Sequence, residues 1–315
     1  MQSFATEKRI ALPATAMAGR KLDSGRLLTI VIFLFPTAAV YSLFVIYPLL
    51  QAGYYGLYRW KGLGPLTDYV GLDNFQRVYH DEIFRRALEH NLVILALSIT
   101  IQLPLALGLA LLVRRGVRGR AFFRTVFFLP YVLSEVITGL IWSFIYHPQS
   151  GLNSLLSAAI PGYEPRGWLG DPNTVLIAIF AAITWQFLGF HFVLYLAGLQ
   201  GIPLELEEAA LIDGASRGRA IRDIVLPLLR PTIVLSIFFS VLGSLQFFDL
   251  IWVMTTGGPV NASETMATYM YKYSFQRFAL GYGAAVSVVI FAICFGFSLL
   301  YQQLVMRRSF AEPLV

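Results

Sequence analysis

A small set of polar and aromatic residues interrupts the long apolar stretches of this sequence. Polar groups in such stretches are costly and tend to face a cavity or a partner. Hydrogen-bonding side chains beside aromatic rings are what recognition of a sugar requires, because a sugar has apolar C–H faces and a rim of hydroxyls. Gln246 and Asp249 are three residues apart, which on a helix places both on one face. The candidate residues for a ligand path are Glu135, Trp185, Gln186, His191, Gln246, Phe247, Phe248 and Asp249.

These residues also have a purely structural explanation. Gln186 and His191 are five residues apart, so they do not share one helical face squarely, and such side chains often serve helix–helix hydrogen bonding. Glu135 is expected near the end of its apolar stretch, where it would meet water. Both explanations stay open at the level of the sequence.

Catalytic and metal-binding patterns are not found in the sequence. The histidines at 80, 90, 147 and 191 are scattered without metal-ligand spacing. Cys294 is the single cysteine, so no intrachain disulfide can form. The motif Gly-x-x-x-x-Gly-Lys-[Ser/Thr] does not occur, which excludes ATP hydrolysis by a P-loop in this chain. We therefore expect no catalytic residue, no metal site and no bound cofactor here.

The segment 201–230 predicts two short helices with a sharp break between them. Pro203 suits the first turn of a helix, and acidic residues such as Glu205 and Glu208 are favoured there by the helix dipole. Gly214 stands where a left-handed residue ends a helix, and Ser216 can cap the next one.

The second helix of this segment is expected to be amphipathic. Its apolar positions recur at helical spacing, and Pro227 is expected to end or kink it. These positions are Ile221, Ile224, Val225 and Leu228. The segment could be a docking surface for a partner or an ordinary connector between two membrane helices.

The elements that must position these residues are membrane helices. The chain has 315 residues, of which 57% are hydrophobic and only 13% charged, and its mean hydropathy is +0.66. A soluble domain is nearer one quarter charged. We predict an all-α polytopic membrane protein with about six spans, since roughly 20 apolar residues cross a bilayer. The predicted spans are 27–50, 91–113, 122–146, 174–199, 231–253 and 283–305.

Basic residues alternate along the chain in a way that sets its orientation. Most of the 24 Lys and Arg residues lie before the first span, after the second, after the fourth and after the sixth. The positive-inside rule therefore predicts that both termini are cytoplasmic. Residues 1–26 and 307–315 would be cytoplasmic segments, and 27–306 the transmembrane domain. The same placement argues against nucleic acid as a partner, although the net charge is +6.

The first long connection is expected to carry a surface helix. Asp81 can cap a helix with an apolar face at Ile83, Phe84, Ala87 and Leu88. We expect this helix to lie at the membrane interface.

Several motifs resemble those of one transporter family. Glu208-Ala209-Ala210, Asp213-Gly214-Ala215 and Ile224-Val225-Leu226-Pro227 resemble the EAA loop of ABC importer permeases. The segments 70–75, 123–130, 196–203 and 247–249 with 256–259 resemble those of carbohydrate-uptake permeases of the maltose and glycerol-phosphate type. Gly218 departs from that pattern, which often has a bulky residue there. The chain most resembles the maltose-permease F-like half of such a pair.

The resemblance implies a type I ABC importer permease fold and a set of partners. These partners are a second permease subunit, expected to be a different chain, two ATP-binding subunits that hold ATP and Mg, an extracytoplasmic solute-binding protein, a sugar-type substrate and membrane lipid. It implies a multi-pass location in a bacterial or archaeal cytoplasmic membrane. The implied ATPase-coupling residues are Glu205, Glu208, Ala209, Ala210, Asp213, Gly214, Ala215, Arg217, Ile224, Leu226 and Pro227.

Two other function classes stay open from the sequence. An ion-coupled secondary transporter would show inverted repeats and broken helices, and no repeat of two halves is visible. A polytopic enzyme or sensor would show a catalytic cluster at one membrane interface, and none is found.

Overall fold

The computed structural model describes residues 24–114 and 119–306. The expected cytoplasmic tail 307–315 and most of the expected N-terminal segment 1–26 lie outside the described residues. So do Arg115 and Arg118, two of the basic residues that set the predicted orientation.

The described residues are helical apart from their connections. They contain no strand, only one isolated antiparallel bridge between Tyr58 and Tyr69. The helices are α1 Ser24–Tyr41, α2 Tyr47–Tyr55, α3 Asp73–His80, α4 Glu82–Leu97, α5 Leu103–Arg114, α6 Arg120–Val132, α7 Glu135–Ile145, α8 Gly151–Ala159, α9 Val175–Gln200, α10 Glu205–Ile212, α11 Arg217–Ala220, α12 Leu226–Gln246, α13 Asp249–Thr255, α14 Met266–Tyr271 and α15 Leu280–Tyr301. The all-α prediction is confirmed.

Widened helical turns join several of these helices into longer rods. Three of the π-helical turns, Ser42–Ile46, Ser98–Gln102 and Ile221–Val225, end two residues before a proline. A proline lacks the N–H for the usual bond and its ring crowds the carbonyl four residues earlier. A widened turn just before the ring relieves this conflict without ending the helix. Pro227, predicted to end or kink the helix, therefore does not end it, and the widened turn just before it is the local distortion.

Five continuous helices in the described residues are long and apolar enough to cross a membrane. They are Val31–Tyr55, Glu82–Arg114, Val175–Gln200, Arg217–Gln246 and Leu280–Met306. A sixth span arises if Ala121–Val132 and Glu135–Ile145, bent by 97° at their junction, are counted together. The prediction of about six spans is confirmed, with several boundaries moved.

The second span begins earlier than predicted. Asp81 caps a helix, as expected, because its carboxylate accepts hydrogen bonds from the backbone N–H groups of Ile83 (2.8 Å) and Phe84 (3.0 Å). That helix is not a separate one at the membrane interface. It runs on through Ser98–Gln102 into α5, since no breaker residue separates the two parts.

Two predicted spans are broken. The third is interrupted at Leu133 and Ser134, which are both extended, and the Ser134 hydroxyl accepts a hydrogen bond from the Ile137 N–H at 3.3 Å. The fifth ends at Gln246, where Phe247 turns extended before α13 begins. The prediction that Gln246 and Asp249 share one helical face is therefore wrong.

The N-terminal compact unit ends at Leu50. Its described side chains, from Val31 onward, are exposed, with Leu49 half-buried as the exception. An apolar helix of this kind is suited to a lipid or protein environment and not to water.

The second unit, from Gln51 onward, contains three clusters of buried apolar residues. One cluster joins α5 and α9 to the turn before α12, with Ala106 and Ala110 allowing close approach to Phe192 and Leu196. The second joins α9 to α13, and the third joins α4 to α14 and α15. The helix α9, which carries three of the eight candidate ligand residues, is thus packed on several sides.

A buried asparagine ties three helices together in this unit. Asn91 on α4 donates a hydrogen bond to the carbonyl of Ser244 at 2.6 Å and accepts one from the N–H of Met266 at 3.0 Å. It is fully buried. It therefore fixes the end of α12 and the start of α14 against α4.

Candidate functional site

The segment after α9 folds as a short helix followed by a break, as predicted, but the second helix is not short, because α11 runs on through Ile221–Val225 into α12. α10 carries its acids in the first turn, and Gly214 follows with a φ of +85°, a left-handed conformation that glycine adopts without strain. The Ser216 hydroxyl then accepts a hydrogen bond from the Arg219 N–H at 3.3 Å and caps α11. Pro203 is not in the first turn, because α10 begins at Glu205. The sequence predicted the break and the cap from residue type alone.

Most of the predicted coupling residues lie on the surface of this segment. Glu205, Glu208, Ala209, Asp213, Gly214, Arg217 and Pro227 are exposed, whereas Ala210, Ala215, Ile224 and Leu226 are half-buried. The loop also exposes large apolar side chains, with Ile212 at 86% and Leu206 at 43% exposed.

One acid of the first turn faces inward, which the sequence did not predict. Glu207 forms a buried ion pair with Arg114, the last residue of α5. The Arg114 guanidinium also donates a hydrogen bond to the carbonyl of Ile202 at 2.9 Å. Three neighbouring acids in the sequence look alike, and only the packing of α10 against α5 selects Glu207.

A small cavity of about 50 Å³ lies where α9 and α12 meet the turn between α4 and α5. Its wall combines hydroxyl, amide and imidazole groups with aromatic rings. The lining residues are Ser98, Gln102, Ile183, Phe187, His191, Phe239, Ser240, Gly243, Ser244 and Phe247. The rings of Phe187 and Phe247 meet edge to face at 5.7 Å between centroids.

Two polar atoms in this wall are buried without a hydrogen-bond partner in the described residues. They are the Nε2 amide of Gln102 and the hydroxyl of Ser240. Their residues are 2% and 7% exposed. A buried polar atom without a partner is costly, so such atoms in a cavity wall indicate a place where water or a ligand binds.

Of the eight predicted ligand residues, the cavity brings together His191 and Phe247. The His191 ring shares a hydrogen bond of 2.8 Å with the hydroxyl of Ser236, which holds it in place. Gln186 lies outside the lining, and its amide donates to the carbonyl of Leu133 at 3.1 Å, where the third span breaks. Its main contact is therefore structural.

The remaining predicted residues lie elsewhere. Glu135 and Asp249 are the first residues of α7 and α13, two short helices that pack against each other after the two breaks. Trp185 is 38% exposed. Gln246 is exposed, and Phe248 stacks on Trp252 at 5.6 Å. None of these five lines the cavity.

The sequence missed four polar residues of the cavity wall. Ser98, Gln102, Ser240 and Ser244 are common in membrane helices and carry no distinguishing pattern. A weak signal existed, because Ser236, Ser240 and Ser244 recur every four residues on one face of α12. Only the tertiary structure places that face beside Gln102.

The chain matches known proteins over most of its length. Residues 102–309 match the family described as binding-protein-dependent transport system inner membrane component. This chain belongs to that family. Its fold resembles a crystal structure of a bacterial alginate ABC transporter in complex with an alginate pentasaccharide-bound periplasmic protein. That match has a TM-score of 0.79 at 24% identity and covers 90% of this chain and 96% of the other.

Two sequence relatives are close along nearly the whole chain. The probable ABC transporter permease protein PH1215 of Pyrococcus horikoshii is 38% identical over 83% of this chain and 90% of its own length. The diacetylchitobiose uptake system permease protein NgcF of Streptomyces coelicolor is 34% identical over 89% and 83%.

The family match confirms the resemblance drawn from the EAA-like loop, and the importer permease fold with it. The chain is a multi-pass inner-membrane permease subunit of a binding-protein-dependent importer. The alternative of an ion-coupled secondary transporter is set aside by this finding.

Proposed function

We propose that this chain is one of two unlike permease subunits that pass a sugar or sugar derivative across a bacterial or archaeal cytoplasmic membrane. Two partner ATPases, which hold ATP and Mg, drive alternating access, and an extracytoplasmic binding protein delivers the sugar. Residues 27–306 form the transmembrane domain, and both termini are cytoplasmic. The observation that carries the sugar assignment is the small cavity in which the unpaired Nε2 of Gln102 and hydroxyl of Ser240 lie beside the rings of Phe187 and Phe247.

The cavity has the chemistry of a sugar subsite. The free amide and hydroxyl can each bond a ligand hydroxyl, while the edge-to-face rings offer apolar surface to C–H groups. Its volume is about 50 Å³, room for one or two waters at about 30 Å³ each. Ligand pockets usually measure roughly 300–1,000 Å³. The sugar therefore binds after the helices around this wall have moved apart.

The loop 201–230 is the proposed docking site for an ATPase subunit. Its first helix, α10, lies outside every candidate membrane span yet exposes Leu206 and Ile212. These apolar side chains lie beside the charged Glu208 and Arg217. Such a surface suits a protein partner that buries the apolar side chains and forms ion pairs with the charged ones. Gly214 sets the direction in which the second helix leaves this surface.

Uptake by the complete importer tests the proposed sugar subsite. The chain is reconstituted with its partner permease, the ATPases and the extracytoplasmic binding protein, and a panel of radiolabelled mono-, di- and oligosaccharides and glycerol phosphate is screened. We expect Gln102→Leu and Ser240→Ala each to lower uptake of the transported compound roughly 2- to 10-fold, because a neutral hydrogen bond contributes about 0.5–1.5 kcal/mol.

A matched variant controls for general damage to the membrane domain. Thr138 on α7 also has a buried hydroxyl without a partner in the described residues, but it does not line the cavity. Thr138→Val should leave uptake unchanged. Equal losses in Thr138→Val and Gln102→Leu, or no loss in either cavity variant, would contradict the assignment of the cavity.

A further inference from the structure

The Arg114–Glu207 ion pair connects two parts of the molecule that are far apart in sequence. Arg114 ends the helix that begins at Glu82, and Glu207 lies in the first turn of α10. Both side chains are buried, at 7% and 3% exposed. The guanidinium also donates a hydrogen bond to the carbonyl of Ile202, so it contacts the loop both before α10 and within it.

The two residues of this ion pair resist separation. Breaking a buried ion pair leaves an uncompensated buried charge, which costs much free energy, so the two residues are expected to move together. A planar guanidinium that bonds a carboxylate and a carbonyl at once also fixes direction, which a lysine ammonium would not do. The neighbouring acids Glu205 and Glu208 are exposed and make no comparable contact with α5 in the described residues.

The helix that ends at Arg114 also forms one wall of the cavity. Ser98 and Gln102 lie 16 and 12 residues before Arg114 on the same continuous rod. At about 1.5 Å per residue they are roughly 24 and 18 Å from the loop. The widened turn Ser98–Gln102 is a point at which this rod can bend, directly at the cavity.

The other two walls of the cavity have covalent connections to the loop. α9 runs into it from one side, and the rod Arg217–Gln246, which contains α12, leaves it on the other. The third wall belongs to the continuous helix Glu82–Arg114, called here the α4–α5 rod. This rod does not lead directly into the loop, because α6 to α9 lie between them in the chain. Movement of the loop reaches that wall directly through the buried ion pair and laterally through the packing of α5 on α9.

We propose that Arg114 and Glu207 are positioning residues that make the α4–α5 rod, and with it Ser98 and Gln102, follow the ATPase-docking loop. This inference rests on the proposed function, in which an ATPase moves that loop. The pair transmits the movement to one wall of the cavity, while the covalent chain transmits it to the other two.

Thiol labelling in the assembled importer tests this link without knowledge of the substrate. In a Cys294→Ser background, a cysteine at Ser98 reports on the α4–α5 rod and a cysteine at Ser240 reports on α12. The rate of labelling by a small maleimide is measured with and without ATP, Mg and orthovanadate. In the otherwise unmodified complex we expect ATP to change both rates several-fold.

The variant Glu207→Gln should separate the two reporters. We expect the ATP-dependent change at Ser98 to become several-fold smaller while the change at Ser240 remains, because only the packing of α5 on α9 still links that wall to the loop. Glu89→Gln, an exposed acid on the α4–α5 rod and outside the docking loop, should leave both responses intact. An unchanged response at Ser98 in Glu207→Gln, or loss of the response at both reporters together, would overturn the inference.

A second variant guards against misfolding. Replacing both partners, Arg114→Leu with Glu207→Leu, removes both charges and keeps the site apolar, which is often neutral for stability. It should assemble with the ATPases and also show a smaller response at Ser98 only, and a normal response there would overturn the link. No ATP-dependent change at either reporter in the unmodified complex would instead overturn the proposed function.

Discussion

The substitution Gly214→Ala tests how far the angle between α10 and α11 controls coupling. Gly214 has a φ of +85°, and nothing lies within 4 Å of where a Cβ would stand. The alanine methyl therefore meets open space, and its whole cost is the left-handed backbone, about 1–2 kcal/mol. That cost lowers the population of the correctly angled loop by a factor of roughly 5–30.

The neighbouring glycine supplies a matched control. Gly218 is also exposed with open space around its Cβ position, but its φ is not in the left-handed region. Gly218→Ala should therefore have no such effect. Gly214→Asn should lie between wild type and alanine, because asparagine tolerates the left-handed conformation better than other residues with a Cβ.

The assay is the number of substrate molecules moved per ATP hydrolysed by the reconstituted importer, together with the amount of protein inserted. We expect normal insertion of all three variants and a loss of coupling in the order Gly214→Ala, Gly214→Asn, Gly218→Ala. Indistinguishable coupling in Gly214→Ala and Gly218→Ala would refute the reasoning from backbone strain.

Three further predictions concern packing and titration. In Gly189→Ala, the new methyl would meet the backbone of Phe127, which cannot yield like a side chain, so we expect a loss of about 1–3 kcal/mol in stability, measured as a lower thermal midpoint in detergent. Asn91→Leu leaves two buried backbone groups unpaired and should cost roughly 2–6 kcal/mol, whereas an unchanged midpoint would contradict the tie between the three helices. Burial raises the pKa of Glu264 above its usual range, although the hydrogen bond and charge of Lys272 oppose this. The Glu264 carboxyl therefore contributes to stability below pH 4.5, and this contribution is lost as the pH rises through its pKa in the folded protein. Glu264→Gln should remove this pH dependence from the thermal midpoint.

Local chemistry explains what could be predicted around the loop. A glycine at 214, a serine at 216 and acids at 205–208 have the same preferences in any sequence, so two helices with a left-handed break followed directly. The cap at Asp81 was equally local. The extension of this helix into the second span was not predictable from local chemistry, because a hydropathy window detects a span only where charged residues stop.

The broken spans show the limit of hydropathy. The stretch 122–146 is mostly apolar, with Arg124 and Glu135 as its charged residues, so averaging its residues predicts one straight helix. Pro130 signals a disturbance, but the 97° bend also depends on Gln186, which bonds the carbonyl that the break exposes. The break at Phe247 is likewise supported from a distance, because the hydroxyl of Thr265 donates to its carbonyl at 2.8 Å.

The sequence by itself determined that this chain crosses a membrane several times and that residues 201–230 form a bent pair of helices, because apolar content and turn chemistry act locally. The tertiary structure alone decided that Glu207 pairs with Arg114, 93 residues away. It also decided that Gln102 and Ser240 meet at one cavity. The sequence alone does not distinguish these serines, glutamines and acids from others of the same type. Only the packing of helices that are distant in sequence determines which of them face each other.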